Sequence, residues 1–198
     1  MTRAPWIVVT GLDGSGKTTL AQHLARDRQG FFFRLPYHEF VRAELPRSGY
    51  GAPFGDVHTD RLIFAADARL TNYLIRDWRL THALLVSQRG WMDGYVFGAV
   101  QGLSYEETDA LLRTAELERP SAILYLVAQP EVAYERIRRD PEADKFETLQ
   151  FMRNQYEATL AFYHAVRAGP PAARAHPLRG YPAQRGGRWL LFRVFRPR

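Results

Sequence analysis

Residues 11–18 read Gly-Leu-Asp-Gly-Ser-Gly-Lys-Thr and match the pattern G-x-x-x-x-G-K-S/T. They follow a β-branched apolar run at 6–10 and precede a helical stripe over 17–28, which is the strand–turn–helix context in which this pattern binds phosphate. Glycines let successive backbone N–H groups curl around a phosphate, Lys17 reaches the β- and γ-phosphates, and the Thr18 hydroxyl can bind Mg²⁺. The motif predicts a nucleotide-binding loop made of Gly11, Gly14, Ser15, Gly16, Lys17, Thr18 and Thr19.

Apolar runs alternate with helical stripes along most of the chain. The runs predict strands over 6–10, 31–33, 84–87 and 123–128. The stripes predict helices over 17–28, 59–77, 104–117, 130–139 and 146–166, with a loop over 46–58. In the helix over 59–77 the apolar face is expected to contain Leu62, Ala66, Leu70 and Leu74. Because continuous apolar strands indicate a sheet buried on both faces, we expect an α/β fold with three layers (α/β/α) and a parallel, roughly five-stranded sheet.

The positive charge is confined to the end of the chain. The formal net charge is +6, yet residues 165–198 contain eight arginines and no acidic residue, which leaves 19 basic and 21 acidic residues in 1–164. Three interpretations of this tail stay open: a basic arm that grips phosphates of a nucleic acid, a solvated extension, and a translated alternate frame of a GC-rich gene. We expect one globular domain over 1–166 and an Arg/Pro-rich tail over 167–198 that can add one strand at 189–195.

Other features exclude several classes of protein. The chain has no cysteine, which rules out a disulfide scaffold, a thiolate zinc site and a cysteine nucleophile. No apolar run reaches the roughly 18 residues of a membrane span, and no signal peptide precedes the first turn, so we expect a cytoplasmic protein. Neither Lys17 nor Lys145 stands in the Asn-Lys-x-Asp context that reads guanine. The sequence therefore favours a small kinase over a GTPase.

Four segments, in order along the chain, resemble the thymidylate kinase family. They are Thr-Gly-Leu-Asp-Gly-Ser-Gly-Lys-Thr-Thr at 10–19, Leu-Ile-Phe-Ala-Ala-Asp at 62–67, Val-Ser-Gln-Arg at 86–89 with Gln-Gly at 101–102, and the stretch 135–147, which ends in Asp-Lys-Phe-Glu at 144–147. The resemblance covers residues 6 to about 166. It implies the P-loop kinase fold, phosphoryl transfer from ATP and Mg²⁺ to the 5′-phosphate of a pyrimidine deoxynucleotide such as dTMP, and a homodimer.

The resemblance also implies roles for individual residues. Asp13 corresponds to the family's P-loop aspartate near the acceptor sugar and phosphate, and Arg89 to the arginine that grips the acceptor phosphate. Ser15 stands where one class of the family has an arginine, so arginines must come from a lid over about 136–145. Arg136 and Arg139 are three residues apart and are expected to share a helix face, with Arg138 beside ATP. The implied catalytic residues are Lys17, Asp13, Arg89, Arg136 and Arg139.

The chain departs from the family pattern beside Arg89. The family's aspartate before that arginine is Gln88 here, and an amide supports the water shell of Mg²⁺ less well than a carboxylate. Asp93 could take that place. Thr18 is therefore the expected direct ligand of Mg²⁺, with Asp93 or Gln88 contributing through water.

The acceptor pocket departs further. Phe64 corresponds to the family's base-stacking phenylalanine, but Ala68 stands where an arginine reads the base carbonyl. Arg61 lies only about 60° from Phe64 on a helix and could supply the missing donor. His38 replaces an arginine that meets the acceptor phosphate, and Arg34 or Arg42 is a candidate to compensate. These changes leave the base identity open.

Two other functions stay open at this point. A kinase of deoxynucleosides or of another small metabolite needs a general base near the acceptor hydroxyl, and Asp13 or Asp93 would serve. A non-catalytic module that binds ATP or nucleic acid would use the basic tail as its contact, and its affinity would fall steeply with salt.

Overall fold

A computed structural model describes residues 3–44, 56–113, 115, 117–139, 148–168 and 188–193. Five strands and seven helices occur in these residues: β1 Trp6–Gly11, α1 Lys17–Asp27, β2 Phe31–Arg34, α2 Glu39–Glu44, α3 Val57–Thr81, β3 Leu85–Gln88, α4 Met92–Val100, α5 Tyr105–Arg113, β4 Ala122–Val127, α6 Pro130–Ile137, α7 Leu149–Ala168 and β5 Arg188–Arg193. None of the helices in the described ranges is both long enough and apolar enough to span a bilayer.

The strands form one parallel sheet in the order β2-β3-β1-β4-β5. The first strand is central, with Trp6 opposite Leu85 on β3 and Gly11 opposite Leu126 on β4. Parallel strands end at a common edge, so the loops after β1, β2 and β3 are neighbours there. The fold class expected from the alternation of strands and helices is confirmed.

Alternate residues of β1 bury opposite faces of the sheet. Trp6 and Val8 belong to a cluster that includes Ile75 of α3, Tyr95 of α4 and Phe162 of α7. On the other face, strand residues Val9, Val86, Leu124 and Leu126 form a cluster with Leu84, just before β3, and with Ala21 and Ala25 of α1. The sheet is therefore covered on both sides, as continuous apolar strands require.

The apolar face expected on α3 lies largely at the surface. Leu62 is 56% exposed and Leu70 is 47% exposed, so the expectation that this stripe packs on the core is wrong at both positions. The opposite face is buried although it contains Asp67 and Asn72. Hydrogen bonds compensate for this burial, because the Asn72 side-chain oxygen accepts from the backbone N–H of Glu118 and Asp67 accepts from the segment after β2.

The structure contains two short helices that the sequence pattern did not predict, and several helices begin or end at other residues than expected. The sequence did not predict α2 or α4. Two helices end before their predicted limits of 117 and 139, since α5 ends at Arg113 and α6 at Ile137. The predicted loop over 46–58 overlaps the start of α3 at Val57, and its residues 46–55 lie outside the described part. Residues 146–147 of the last predicted helix also lie outside it. The last strand, β5, begins at Arg188 and ends at Arg193, so it overlaps most of the predicted 189–195 segment.

Candidate active site

The phosphate-binding loop leaves β1 at Gly11 and enters α1 at Lys17. Gly14 and Gly16 have φ of 74° and 91°, a left-handed conformation that side chains with a Cβ rarely adopt. A Cβ on Gly14 would lie 2.4 Å from the backbone oxygen of Ala133 on α6. The loop therefore needs glycine at position 14 for two reasons: the left-handed turn and the close approach of the loop to α6.

Three of the predicted catalytic side chains meet beside this loop. Asp13 accepts a hydrogen bond from Lys17 Nζ through one carboxylate oxygen. Its other oxygen accepts from Arg89 Nη2 at 2.7 Å. The Lys17 side chain is almost completely buried, whereas those of Asp13 and Arg89 are about one quarter exposed. One carboxylate thus joins the lysine of the phosphate loop to the arginine at the end of β3.

The two candidate outer ligands of a metal differ sharply. Asp93 is buried, and its two oxygens accept from Thr10 Oγ1 at 2.6 Å and from the backbone N–H of Gly90 at 2.8 Å. Burial raises the pKa of the Asp93 carboxyl, against the effect of these hydrogen bonds. The side-chain oxygen of Gln88 is also buried but has no hydrogen-bond partner among the described residues. Of these two candidates, Gln88 is therefore the one with a spare buried oxygen.

The donor set suits a magnesium ion that is held mainly by phosphate and water. Thr18 lies half-buried in the first turn of α1. Nowhere in the described ranges do three His, Cys, Asp or Glu side chains come together as a metal cluster. Since Mg²⁺ commonly keeps several waters and takes few protein ligands, Thr18 with the spare oxygen of Gln88 fits this metal.

Arg61 and Phe64 of α3 form an aromatic–cation pair. The Arg61 guanidinium carbon lies 4.8 Å from the centre of the Phe64 ring. Arg61 is only 7% exposed, and its Nε has no hydrogen-bond partner among the described residues. Burial lowers the pKa of Arg61 to about 10, against the effect of the neighbouring Asp60, so the group stays charged at neutral pH. A buried donor without an acceptor is the kind of group that binds a carbonyl oxygen.

His38 is held by the carboxylate of Asp67, which is not among the site residues predicted from the sequence. Its Nδ1 lies 2.8 Å from Asp67 Oδ1. The Asp67 carboxylate also accepts from the backbone N–H groups of Tyr37 and His38 at 3.0 and 2.9 Å. Arg34 is exposed at the last position of β2. Asp67 was visible only as part of the motif at 62–67, because its partners are distant in sequence.

The three arginines at the start of the predicted lid do not act on the same partner. Arg136 Nη1 donates to the backbone oxygen of Gly14 at 3.1 Å, at the edge of the phosphate loop. Arg138 and Arg139 lie 3.0 and 3.9 Å from Glu135, with side chains 63% and 79% exposed. The expectation that Arg136 and Arg139 share a helix face is wrong because α6 ends at Ile137. The rest of the predicted lid, 140–145, lies outside the described residues.

Comparisons with known proteins point to one family. The thymidylate kinase family model matches residues 9–167. A probable thymidylate kinase of Pyrobaculum calidifontis is 28% identical over an alignment of 187 residues, and the match covers 84% of this chain and 89% of that protein. One from Methanocaldococcus jannaschii is 26% identical over 161 residues, which cover 81% and 84% of the two chains.

A solved structure supports the same fold. The thymidylate kinase of Candida albicans superposes with a TM-score of 0.67 at 16% identity, and the match covers 96% of this chain and 84% of that one. The family resemblance found in the sequence is confirmed by the family model and the curated relatives, and the fold by the solved structure. The chain belongs to the thymidylate kinase family, whose members are nucleoside monophosphate kinases.

Proposed function

We propose that this protein transfers the γ-phosphoryl group of ATP to the 5′-phosphate of dTMP and releases dTDP and ADP. The observation that carries the proposal is the meeting of Lys17 and Arg89 at Asp13. An oxygen of the acceptor phosphate attacks the γ-phosphorus, and the bond from that phosphorus to the β–γ bridging oxygen breaks. The reacting groups of both substrates are anionic. The reaction therefore needs cationic side chains that lie between the two substrates and contact both.

The donor side of the site uses the phosphate-binding loop. Backbone N–H groups of residues 11–19 and the buried Lys17 ammonium hold the phosphates of ATP. Ser15 Oγ is buried and has no hydrogen-bond partner among the described residues, so it can donate to a phosphate oxygen. Arg136 already reaches the loop, and Arg138 and Arg139 follow it in the lid over 136–145, which closes on ATP and excludes water.

Thr18 binds Mg²⁺ directly in this proposal, and Gln88 supports it through a bound water. The metal supplies neutralisation of charge on the β- and γ-phosphates. Asp93 is the weaker candidate, because both of its oxygens already accept hydrogen bonds.

The acceptor site lies between α3 and the ends of β2 and β3. Phe64 stacks on the base, and Arg61, which has donors only, binds a base carbonyl oxygen. Arg89 binds the 5′-phosphate, with His38 and Arg34 nearby at the same edge. When the phosphates arrive, they replace Asp13 as the partner of Lys17 and Arg89, which frees the Asp13 carboxylate to hold the acceptor sugar.

The assembly and organisation of the protein are also part of the proposal. Leu62, Leu70 and Tyr73 are large apolar or aromatic side chains that are 56%, 47% and 49% exposed along α3, and such a patch marks an interaction surface. We assign it to a homodimer. The kinase domain spans 1–166, and the tail over 167–198 adds a strand to its sheet. Its substrates, ATP and dTMP, are nucleotides of the cytoplasm, where we place the protein.

A screen for ADP release tests the function. Purified protein with ATP and Mg²⁺ is offered dTMP, the other nucleoside monophosphates, the nucleosides and free sugars. We expect turnover with dTMP, reduced at least about a hundredfold by Lys17→Ala or Arg89→Ala. Arg26→Ala, an exposed arginine of α1, is the matched control and should retain turnover. Turnover with unphosphorylated acceptors alone would overturn the proposal in favour of a nucleoside or metabolite kinase.

A further inference from the structure

Arg89 has an unusual backbone. Its φ is 65°, in the left-handed region where a Cβ crowds the following carbonyl oxygen. Arg89 comes directly after β3, and its guanidinium reaches Asp13. A residue other than glycine stays in this conformation only when its surroundings impose it.

The peptide groups on both sides of Arg89 are held by hydrogen bonds. Its own N–H donates to the backbone oxygen of Val9 at 2.9 Å. Its carbonyl oxygen accepts from Ser87 Oγ at 2.9 Å. The next N–H, that of Gly90, donates to Asp93 Oδ2 at 2.8 Å. The peptide bond between residues 89 and 90 is therefore fixed at its oxygen by one side chain and at its nitrogen by another.

These two side chains are fixed in turn by β1. The indole N–H of Trp6 donates to Ser87 Oγ at 3.0 Å, and Thr10 Oγ1 donates to Asp93 Oδ1 at 2.6 Å. Trp6 and Ser87 are completely or almost completely buried, and Asp93 is 9% exposed. Since β1 leads directly into the phosphate-binding loop, the conformation of Arg89 is set relative to the ATP site.

We propose that Ser87 and Asp93 are positioning residues that hold Arg89 in its left-handed conformation and so aim its guanidinium at the acceptor phosphate. The inference rests on the proposed role of Arg89 in acceptor binding. Without the two side chains, the peptide after Arg89 rotates toward a relaxed conformation and the Arg89 side chain leaves the site. Binding of the acceptor phosphate is then weakened, while the phosphate-binding loop keeps its own contacts.

Steady-state kinetics of three variants test the inference. For Ser87→Ala and Asp93→Ala we expect kcat/KM for dTMP to fall about ten- to a hundredfold, while KM for ATP changes less than about twofold. Asp93→Asn should recover most of the loss, because the amide oxygen can accept from the Gly90 N–H while its NH₂ donates to Thr10 Oγ1. Equal losses for the Asn and Ala variants at residue 93, with a raised Mg²⁺ requirement, would overturn the inference and assign Asp93 to the metal.

A double-mutant cycle separates aiming from general support of the fold. In an Arg89→Ala background, Ser87→Ala and Asp93→Ala should cause no further loss of kcat/KM for dTMP, because the side chain that they aim is gone. Losses that multiply with that of Arg89→Ala would overturn the inference. If Ser87→Ala does not fold, because Trp6 loses its acceptor, the residue-93 variants decide. If instead Arg89→Ala leaves KM and kcat for dTMP unchanged, it is the proposed acceptor role of Arg89 that is wrong.

Discussion

Gly14→Ala is a substitution in the phosphate-binding loop for which the structure predicts a large loss of stability. Gly14 has a φ of 74°, and placing alanine in the left-handed region costs about 1–2 kcal/mol. The new Cβ would also lie 2.4 Å from the backbone oxygen of Ala133 and 3.0 Å from Cγ1 of Ile137. Backbone cannot swing aside as a flexible side chain does, so overpacking adds about 1–3 kcal/mol. We expect a total loss of about 2–5 kcal/mol in the free energy of unfolding.

Gly102→Ala is the matched control. Gly102 has a φ of 86°, and among the described residues no atom other than those of Gly102 and its chain neighbours lies within 4 Å of the position that its Cβ would take. This substitution should cost only the conformational part, about 1–2 kcal/mol. The difference between the two variants isolates the contact between the phosphate-binding loop and α6.

Urea unfolding followed by far-UV circular dichroism measures both values, and calorimetry measures ATP affinity. Because Arg136 donates to the Gly14 oxygen, displacement of α6 should also weaken ATP binding in Gly14→Ala and leave it unchanged in Gly102→Ala. Equal free energies of unfolding for the two variants would show that α6 yields to the added methyl group and would contradict the predicted clash with Ala133 and Ile137.

Three further predictions concern parts of the molecule away from the phosphate loop. Truncation after Val166 should lower the melting temperature, because β5 pairs with the whole length of β4 and its loss exposes that edge; an unchanged temperature in calorimetry would contradict this. Leu62→Glu combined with Leu70→Glu should convert a dimer to a monomer in analytical ultracentrifugation, since both side chains are exposed; a monomeric parent protein would refute the dimer. Hydrogen bonds from the Ser104 N–H and hydroxyl lower the pKa of Glu107, so its stabilising effect is present above the ordinary value of 4.5 and is lost as the pH falls through the lowered pKa. In urea unfolding, Glu107→Gln should therefore lower the free energy of unfolding at pH 7, and this loss should shrink at low pH. A loss that does not change with pH would argue against stabilisation by the charged Glu107 carboxylate.

The strands were predictable because each is a continuous apolar run, and in a buried parallel sheet nothing interrupts that signal. The helix α4 was not predictable, because Gly94 and Gly98 lower its helix propensity. A Cβ on Gly98 would lie 2.5 Å from Thr108 Oγ1 on α5, so close packing of two helices explains the glycine. That reason is a tertiary contact, which no local pattern contains.

The candidate site divides in the same way. The phosphate-binding loop is local in sequence, and its glycine spacing predicted the turn between β1 and α1. The contacts of Asp67 and Asp93 join segments tens of residues apart. The two carboxylates are therefore visible in the sequence, but their hydrogen-bond partners could not be predicted from it. Sequence reasoning could suggest that Asp93 supports a metal, but it could not show that Thr10 and Gly90 already occupy its oxygens.

The unexpected orientation of α3 follows from what its inner face contains. At about 100° per residue, Arg61, Phe64 and Asp67 lie on one side of the helix, and Leu62 and Leu70 lie on the other. The inner side chains are a buried cation on an aromatic ring and a buried carboxylate that holds the segment after β2. A helix that must present these groups inward cannot also pack its leucine stripe on the sheet, so the leucines face outward. The amphipathic pattern identified the helix correctly and gave the wrong inner face, because the groups proposed for acceptor binding occupy the side that a purely structural helix fills with leucine.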